Sequence, residues 1–99
     1  MTRIRTHPGE VLKEEFMAPL GLSANRLAIE LAVPATRIGE IIRADSPRAV
    51  TADTALRLGR YFATTPDFWM SLQAAYELSK AQAEKGQEIA SRVRPRERA

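Results

Sequence analysis

The sequence predicts an all-α protein, a bundle of five helices carrying a helix-turn-helix and ending in a short basic tail. Three observations carry that prediction. Apolar residues recur at helical spacing throughout the periodic segments, and no segment alternates cleanly enough to read as a strand. Helix starts are announced by capping residues, most clearly at Thr65-Pro66-Asp67: a capping hydroxyl, a proline at the first helical position and an acid against the dipole. Finally, the stretch from Ser23 to Arg43, SANRLAIELAVPATRIGEIIR, has the grammar of two short helices joined by a tight turn.

The first helix begins near Pro8 and runs through Val11, Leu12 and Phe16 until Pro19 and Gly21 end it. Ser23 caps the second, whose inner stripe is Leu27, Ala28 and Leu31. A turn at Ala32 and Val33 leads to Pro34, which opens the third helix through Ile38, Ile41 and Ile42. The loop from Ala44 to Val50 contains the turn formers Asp45, Ser46 and Pro47. Thr51 caps the fourth helix, with Asp53 in its first turn and Ala55, Leu58 and Phe62 at helical spacing. The fifth carries Phe68, Trp69, Leu72 and Tyr76, continues toward Glu84, and has its expected stop at Gly86. The expected organisation is therefore one domain over residues 1–84 and a flexible basic tail over residues 85–99. No internal repeat is visible.

At 99 residues the chain has room for one domain that hides roughly two-thirds of its unfolded surface. It has no cysteine, which removes disulfides and thiolate metal sites and fits a reducing cytoplasm. No apolar run is long enough for a bilayer span, and MTRIRTHPGE has no apolar core of a secretory signal. The expectation is a cytoplasmic protein without a membrane partner. The net charge is +3, and its distribution matters more than its size. Residues 34–62 hold five arginines against Glu40, Asp45 and Asp53, while Arg92, Arg94, Arg96 and Arg98 face only Glu97 in the tail.

A helix-turn-helix needs a small residue where its helices cross, and Ala28 supplies it. It also needs a hydrophobe after the turn, Val33, and one inside the second helix, Ile38. Counting from a buried Ile38, positions 36, 37 and 40 face outward at the end of the helix that reaches base edges. Thr36, Arg37 and Glu40 are thus the candidate base-contacting residues. Ser23 and Asn25 stand at a helix N-terminus suited to a phosphate, and Arg43 and Arg48 are candidate phosphate contacts beyond the recognition helix. Each has a plainer reading. An exposed arginine is ordinarily solvated, and Glu40 repels phosphates and pairs with Arg37 or Arg43 at helical spacing. Phe68, Trp69, Leu72 and Tyr76 are ordinarily core, yet they give the last helix more large apolar surface than docking requires, which marks a candidate dimer interface with Trp69 as its anchor.

The blocks HPGEVLKEEFMAPLGLS, NRLA, VPATRIGEIIR, AVTADTALRLGRYF and TPDFWMSLQAAYEL, over roughly residues 6–78, resemble the HigA antitoxin family, also called VapI-like. The resemblance implies a five-helix fold of the Cro/repressor type. It further implies a homodimer that binds a palindromic double-stranded DNA operator in its own promoter and neutralises a RelE-like ribonuclease toxin encoded beside it. Three positions depart from the family. The loop RADSPRAVT is longer than usual, leaving both Arg43 and Arg48 as phosphate contacts. Ala32 replaces the usual glycine, so the turn either carries about 1 kcal/mol of strain or avoids the left-handed conformation. Gly39 stands in the recognition helix where serine is more usual, weakening the helix by up to about 1 kcal/mol while letting the backbone lie close to DNA. The alternatives from other classes are a stand-alone repressor without a toxin and a protein-interaction module that has lost operator binding.

His7 with Glu10 is the one pair that suggests a metal site or an acid–base couple, but the chain offers no second histidine or cysteine to complete either. Phosphate-binding glycine loops, zinc spacings and nucleophile–base arrangements are absent from the sequence. The expectation is a non-enzymatic protein with no cofactor and no metal.

Overall fold

The computed structural model describes residues 3–97, and these form helices and connecting loops only. Arg98, expected in the basic tail, lies outside the described residues, as do positions 1, 2 and 99. Helix α1 is a continuous run made of Pro8–Val11, a π-helical stretch Leu12–Met17, and Ala18–Leu20. His7 caps it: the backbone is extended there, and Nδ1 accepts the Gly9 N–H at 2.8 Å. The wide π turns precede Pro19, which has no N–H to donate and whose ring crowds the carbonyl four residues back. They also bring Leu12 and Met17, five residues apart, onto the core side together. Gly21 ends the run in the left-handed conformation at φ 64°.

Helix α2, Ala24–Leu31, starts on Ser23, whose hydroxyl accepts the Arg26 N–H at 3.1 Å. It ends at Ala32, with φ 58° and ψ 48°, and the Val33 N–H bonds back to the Ala28 carbonyl at 3.0 Å. The turn therefore takes the left-handed conformation with a side chain in place, rather than avoiding it. Helix α3, Ala35–Ile42, has Pro34 at its N-cap position and buries Ile38 and Ile41. Helix α4, Ala52–Phe62, is capped by Thr51 and buries Thr54, Ala55, Leu58 and Gly59.

Helix α5 spans Pro66–Arg92, with the Thr65 hydroxyl accepting the Phe68 N–H at 3.1 Å. The expected stop at Gly86 does not occur. A glycine inside an exposed helix costs about 1 kcal/mol, which is too little to end a helix when the flanking residues favour it. The Lys80–Glu84 and Glu88–Arg92 pairs, at 4.0 Å and 3.9 Å, lie on either side of it at i,i+4 spacing. The helix consequently takes up the first half of what reads as tail and stretches the molecule to 55 Å along its long axis.

The core joins Leu12 and Met17 of α1, Leu27, Ala28 and Leu31 of α2, and Ile38 and Ile41 of α3. It is closed by Val50, Ala55 and Leu58, with Trp69 at its α5 side. Trp69 is fully buried within the single chain. Its indole N–H donates to the Thr64 hydroxyl at 2.8 Å, and its ring packs against Phe16 at a tilt and Phe68 edge-on, at centroid distances of 5.1 and 5.0 Å. The expected dimer anchor, Trp69, therefore has its whole side chain engaged within the single chain. Gln73, also buried, accepts the Val50 N–H at 2.8 Å and donates to Glu77 at 2.7 Å, tying the α3–α4 loop to α5.

Candidate nucleic-acid interface

An eight-residue helix is too short to persist alone in water, so α3 depends on its buried stem for both existence and direction. Ile38 and Ile41 point into the core, and Thr36 is left on the open side. Arg37 lies beside it with 28% of its side chain exposed, because its Nη1 donates to Asp53 Oδ2 at 3.2 Å. Asp53 sits in the first turn of α4 and takes a second, shorter bond from Arg57 Nε at 2.9 Å. The Arg57 hydrogen bond is the main reason that the Asp53 carboxyl is held below its ordinary range; partial desolvation opposes it, and the charges of Arg57 and Arg37 add to it. The other end of Arg57 donates to the Leu31 and Ala32 carbonyls at 2.8 and 3.2 Å, closing the orphan carbonyls at the helix-turn-helix turn.

At the far end of α3, Glu40 pairs with Arg48 at 3.0 Å rather than with Arg37 or Arg43. The Arg48 N–H also donates to the Glu40 carbonyl at 2.9 Å, so the long loop folds back onto the helix end. Arg43 Nε donates to the Ser46 carbonyl at 3.0 Å within that loop. Arg43 and Arg48 are both exposed, Arg43 at the C-cap of α3 and Arg48 paired with Glu40 near that helix end. Ser23 and Asn25 are exposed at the start of α2, although the Ser23 hydroxyl is already spent on the Arg26 N–H. The structure thus keeps Thr36, Arg37, Glu40, Arg43 and Arg48 on or beside one short helix, while Ser23 and Asn25 belong to the preceding one.

The expected dimer residues are not one exposed face. Phe68 is 38% exposed, Leu72 and Tyr76 are half-buried, and Trp69 is wholly internal. Tyr76 meets the His7 ring edge-on at 4.7 Å. His7 spends Nδ1 as a helix cap, and burial pushes its pKa below the ordinary value against an opposing pull from Glu77. Among the described residues no group of three His, Cys, Asp or Glu side chains is placed to hold a metal ion. Nor is any helix there long and apolar enough to cross a membrane.

Sequence reasoning read Asp53 only as a first-turn acid and gave Arg57 no individual place, so the link from Arg37 through both went unseen. The i,i+4 spacing of an acid and an arginine at the start of α4 was their only visible signal, and it reads equally as an ordinary helix-surface pair.

No family model matches the chain. Virulence-associated protein I of Dichelobacter nodosus is 51% identical over 79 residues, 80% of this chain and 71% of that protein. The structure described as Pseudomonas aeruginosa antitoxin HigA with higBA promoter superposes with a TM-score of 0.87 at 42% identity, covering 94% of this chain and 98% of that one. The structure of antitoxin GraA in complex with its operator gives a TM-score of 0.90 at 39% identity, covering 99% and 97%. The chain belongs to the HigA family of antitoxins, the VapI-like proteins with a Cro-type helix-turn-helix.

Proposed function

We propose that the chain is an antitoxin that represses its own promoter, binding a palindromic operator as a homodimer and neutralising a RelE-like, mRNA-cleaving toxin. The observation that carries the DNA half of this reading is the placement of Thr36 and Arg37. Both open a short helix whose opposite face is locked by Ile38 and Ile41. Such a helix enters the major groove, and two of them related by a two-fold axis address half-sites about 34 Å apart. Thr36, Arg37 and Glu40 meet base edges, with Glu40 leaving Arg48 to accept from a cytosine amino group. Ser23, Asn25, Arg43 and Arg48 take the phosphates. Relatives solved with promoter or operator DNA support this half, and the antitoxin names of the relatives support the toxin half. Such a protein performs no catalysis and needs no cofactor.

Gel shifts with the DNA immediately upstream of the gene test the DNA half directly. Thr36→Ala or Arg37→Ala should each weaken binding by about 1–3 kcal/mol with unchanged melting. Wild-type affinity in both variants would remove α3 from the groove. Co-purification of the chain with the product of a neighbouring ribonuclease-like gene, and loss of that nuclease activity in the complex, tests the toxin half.

A further inference from the structure

We propose that Asp53 is a positioning residue for DNA readout: its carboxylate, itself fixed by Arg57, buttresses Arg37 so that α3 distinguishes operator from other DNA. The proposal rests on the reading of Arg37 as a base-contacting residue and adds the device that aims it.

Among the described residues Arg37 makes one side-chain hydrogen bond, from Nη1 to Asp53 Oδ2. That leaves most of its donor fork unspent. A guanidinium anchored at Nη1 has a narrower range of orientations and keeps its Nε and Nη2 donors free for a bidentate contact to the N7 and O6 acceptors of a guanine. The carboxylate is in turn not free to wander. Oδ2 is shared with Arg57 Nε at 2.9 Å, and Arg57 is pinned to the Leu31 and Ala32 carbonyls of the turn between α2 and α3. The aiming point for Arg37 is therefore referenced to the helix-turn-helix itself, not to a flexible surface.

Two physical consequences separate this from an ordinary exposed ion pair, which adds little to stability. Arg37 gives up rotamer freedom before DNA arrives, so less is lost on binding the correct site. An unheld arginine near a duplex satisfies itself on whichever phosphate is closest, and phosphates carry no sequence information. The negative charge of Asp53 beside the DNA face further penalises phosphate contacts that do not depend on sequence. Asp53 thus lowers general affinity for DNA and raises discrimination.

The test is a double-mutant cycle of Asp53→Asn and Arg37→Ala in the full chain at one salt concentration. The probes are a duplex of the DNA immediately upstream of the gene and a scrambled duplex of equal length and composition. Asp53→Asn should lower the ratio of the two affinities about fivefold to tenfold, with scrambled-DNA affinity equal to or above wild type and an unchanged melting curve. Arg37→Ala should lower the ratio as well, and adding Asp53→Asn to it should lower it no further. A wild-type ratio in Asp53→Asn, or an equal loss with and without Arg37, overturns the proposal. If Arg37→Ala itself leaves the ratio unchanged, the base-reading role of Arg37 has failed, and that outcome is distinct from the failure of the buttress alone.

Discussion

Replacing Gly9 by alanine should be among the most damaging single-methyl additions in the chain. Gly9 lies buried in the first turn of α1, where that helix crosses the end of α3. A Cβ there would overlap the Ile41 carbonyl oxygen, come within 2.8 Å of the Ile41 carbonyl carbon, and stand 3.0 Å from His7 Nδ1. Backbone cannot swing aside as the end of a long side chain can. α1 must retreat from α3, loosening the contact around Leu12 and Ile41, and its first turn must distort so that the His7 cap is lost as well. Overpacking of this kind costs about 1–3 kcal/mol, and loss of a cap about 1 kcal/mol more. A total of about 2–4 kcal/mol corresponds to a fall in Tm of roughly 10–25 °C for a domain of this size.

Thermal melting by circular dichroism measures this directly, and gel shifts below the lowered Tm show whether displacement of α3 also weakens DNA binding. Helix propensity argues the other way, because alanine is the better helix former by up to about 1 kcal/mol. The sign therefore decides between close approach and propensity. A Gly9→Ala protein that melts at or above the wild-type temperature would refute the argument that α1 is held against the Ile41 carbonyl.

Gly39→Ala should do the reverse, since no atom lies within 4 Å of the added methyl: stability should rise by about 0.5–1 kcal/mol in the same melting assay. If the α3 backbone lies close to DNA at that point, operator affinity should drop even as stability rises, which gel shifts on the same samples would show. His7 should make the fold sensitive to mild acid. Its folded pKa lies below the ordinary 6.5 because burial disfavours the charged ring, so the unfolded chain binds the proton more readily. The stability this contributes is fully present above about pH 6.5 and is lost as the pH falls through the folded value. Chemical denaturation from about pH 7.5 to about pH 5.5 should show the decline in the wild type and a flatter profile in His7→Asn, which keeps an acceptor for the Gly9 N–H.

The parts of this fold that were legible in the sequence are those governed by local chemistry. Ser23, Thr51 and Thr65 each cap a helix through their own side chain, because the hydroxyl and the N–H it serves lie three residues apart. The alternation of Leu27, Ala28 and Leu31 with Ile38 and Ile41 fixed the outward side of α3, and Thr36 is exposed as that register requires. Properties set by competition were harder to read. Gly86 is a helix stop only when its cost exceeds what neighbouring residues contribute, and here it does not. The aromatic residues on α5 read as surplus surface, but the sequence could not show that Trp69 packs against Phe16 and Phe68 inside the chain while Phe68 itself stays partly exposed. Arg37 and Asp53 are sixteen positions apart, so no helical spacing could pair them.

If α3 enters the groove as proposed, it does so on terms set by helices α1, α4 and α5. Its last turn rests on Gly9 of α1, its first turn is tethered through Arg37 to α4, and its trailing loop is folded back by Arg48 and held at Val50 by Gln73 of α5. A helix of eight residues cannot enforce its own angle, and a displacement near 1 Å is enough to break a bidentate contact to a base edge. Operator recognition should accordingly be more sensitive to positions such as Gly9, Asp53 and Gln73, which touch no base in this reading, than to most exposed residues of the same helices. Affinity for scrambled DNA should move much less at Gly9 and Gln73, because phosphates accept contacts over a wide range of helix positions. If α3 reads the operator as proposed, discrimination should depend on how the bundle holds α3 as well as on Thr36 and Arg37, whereas general attraction to DNA should depend mainly on the exposed arginines.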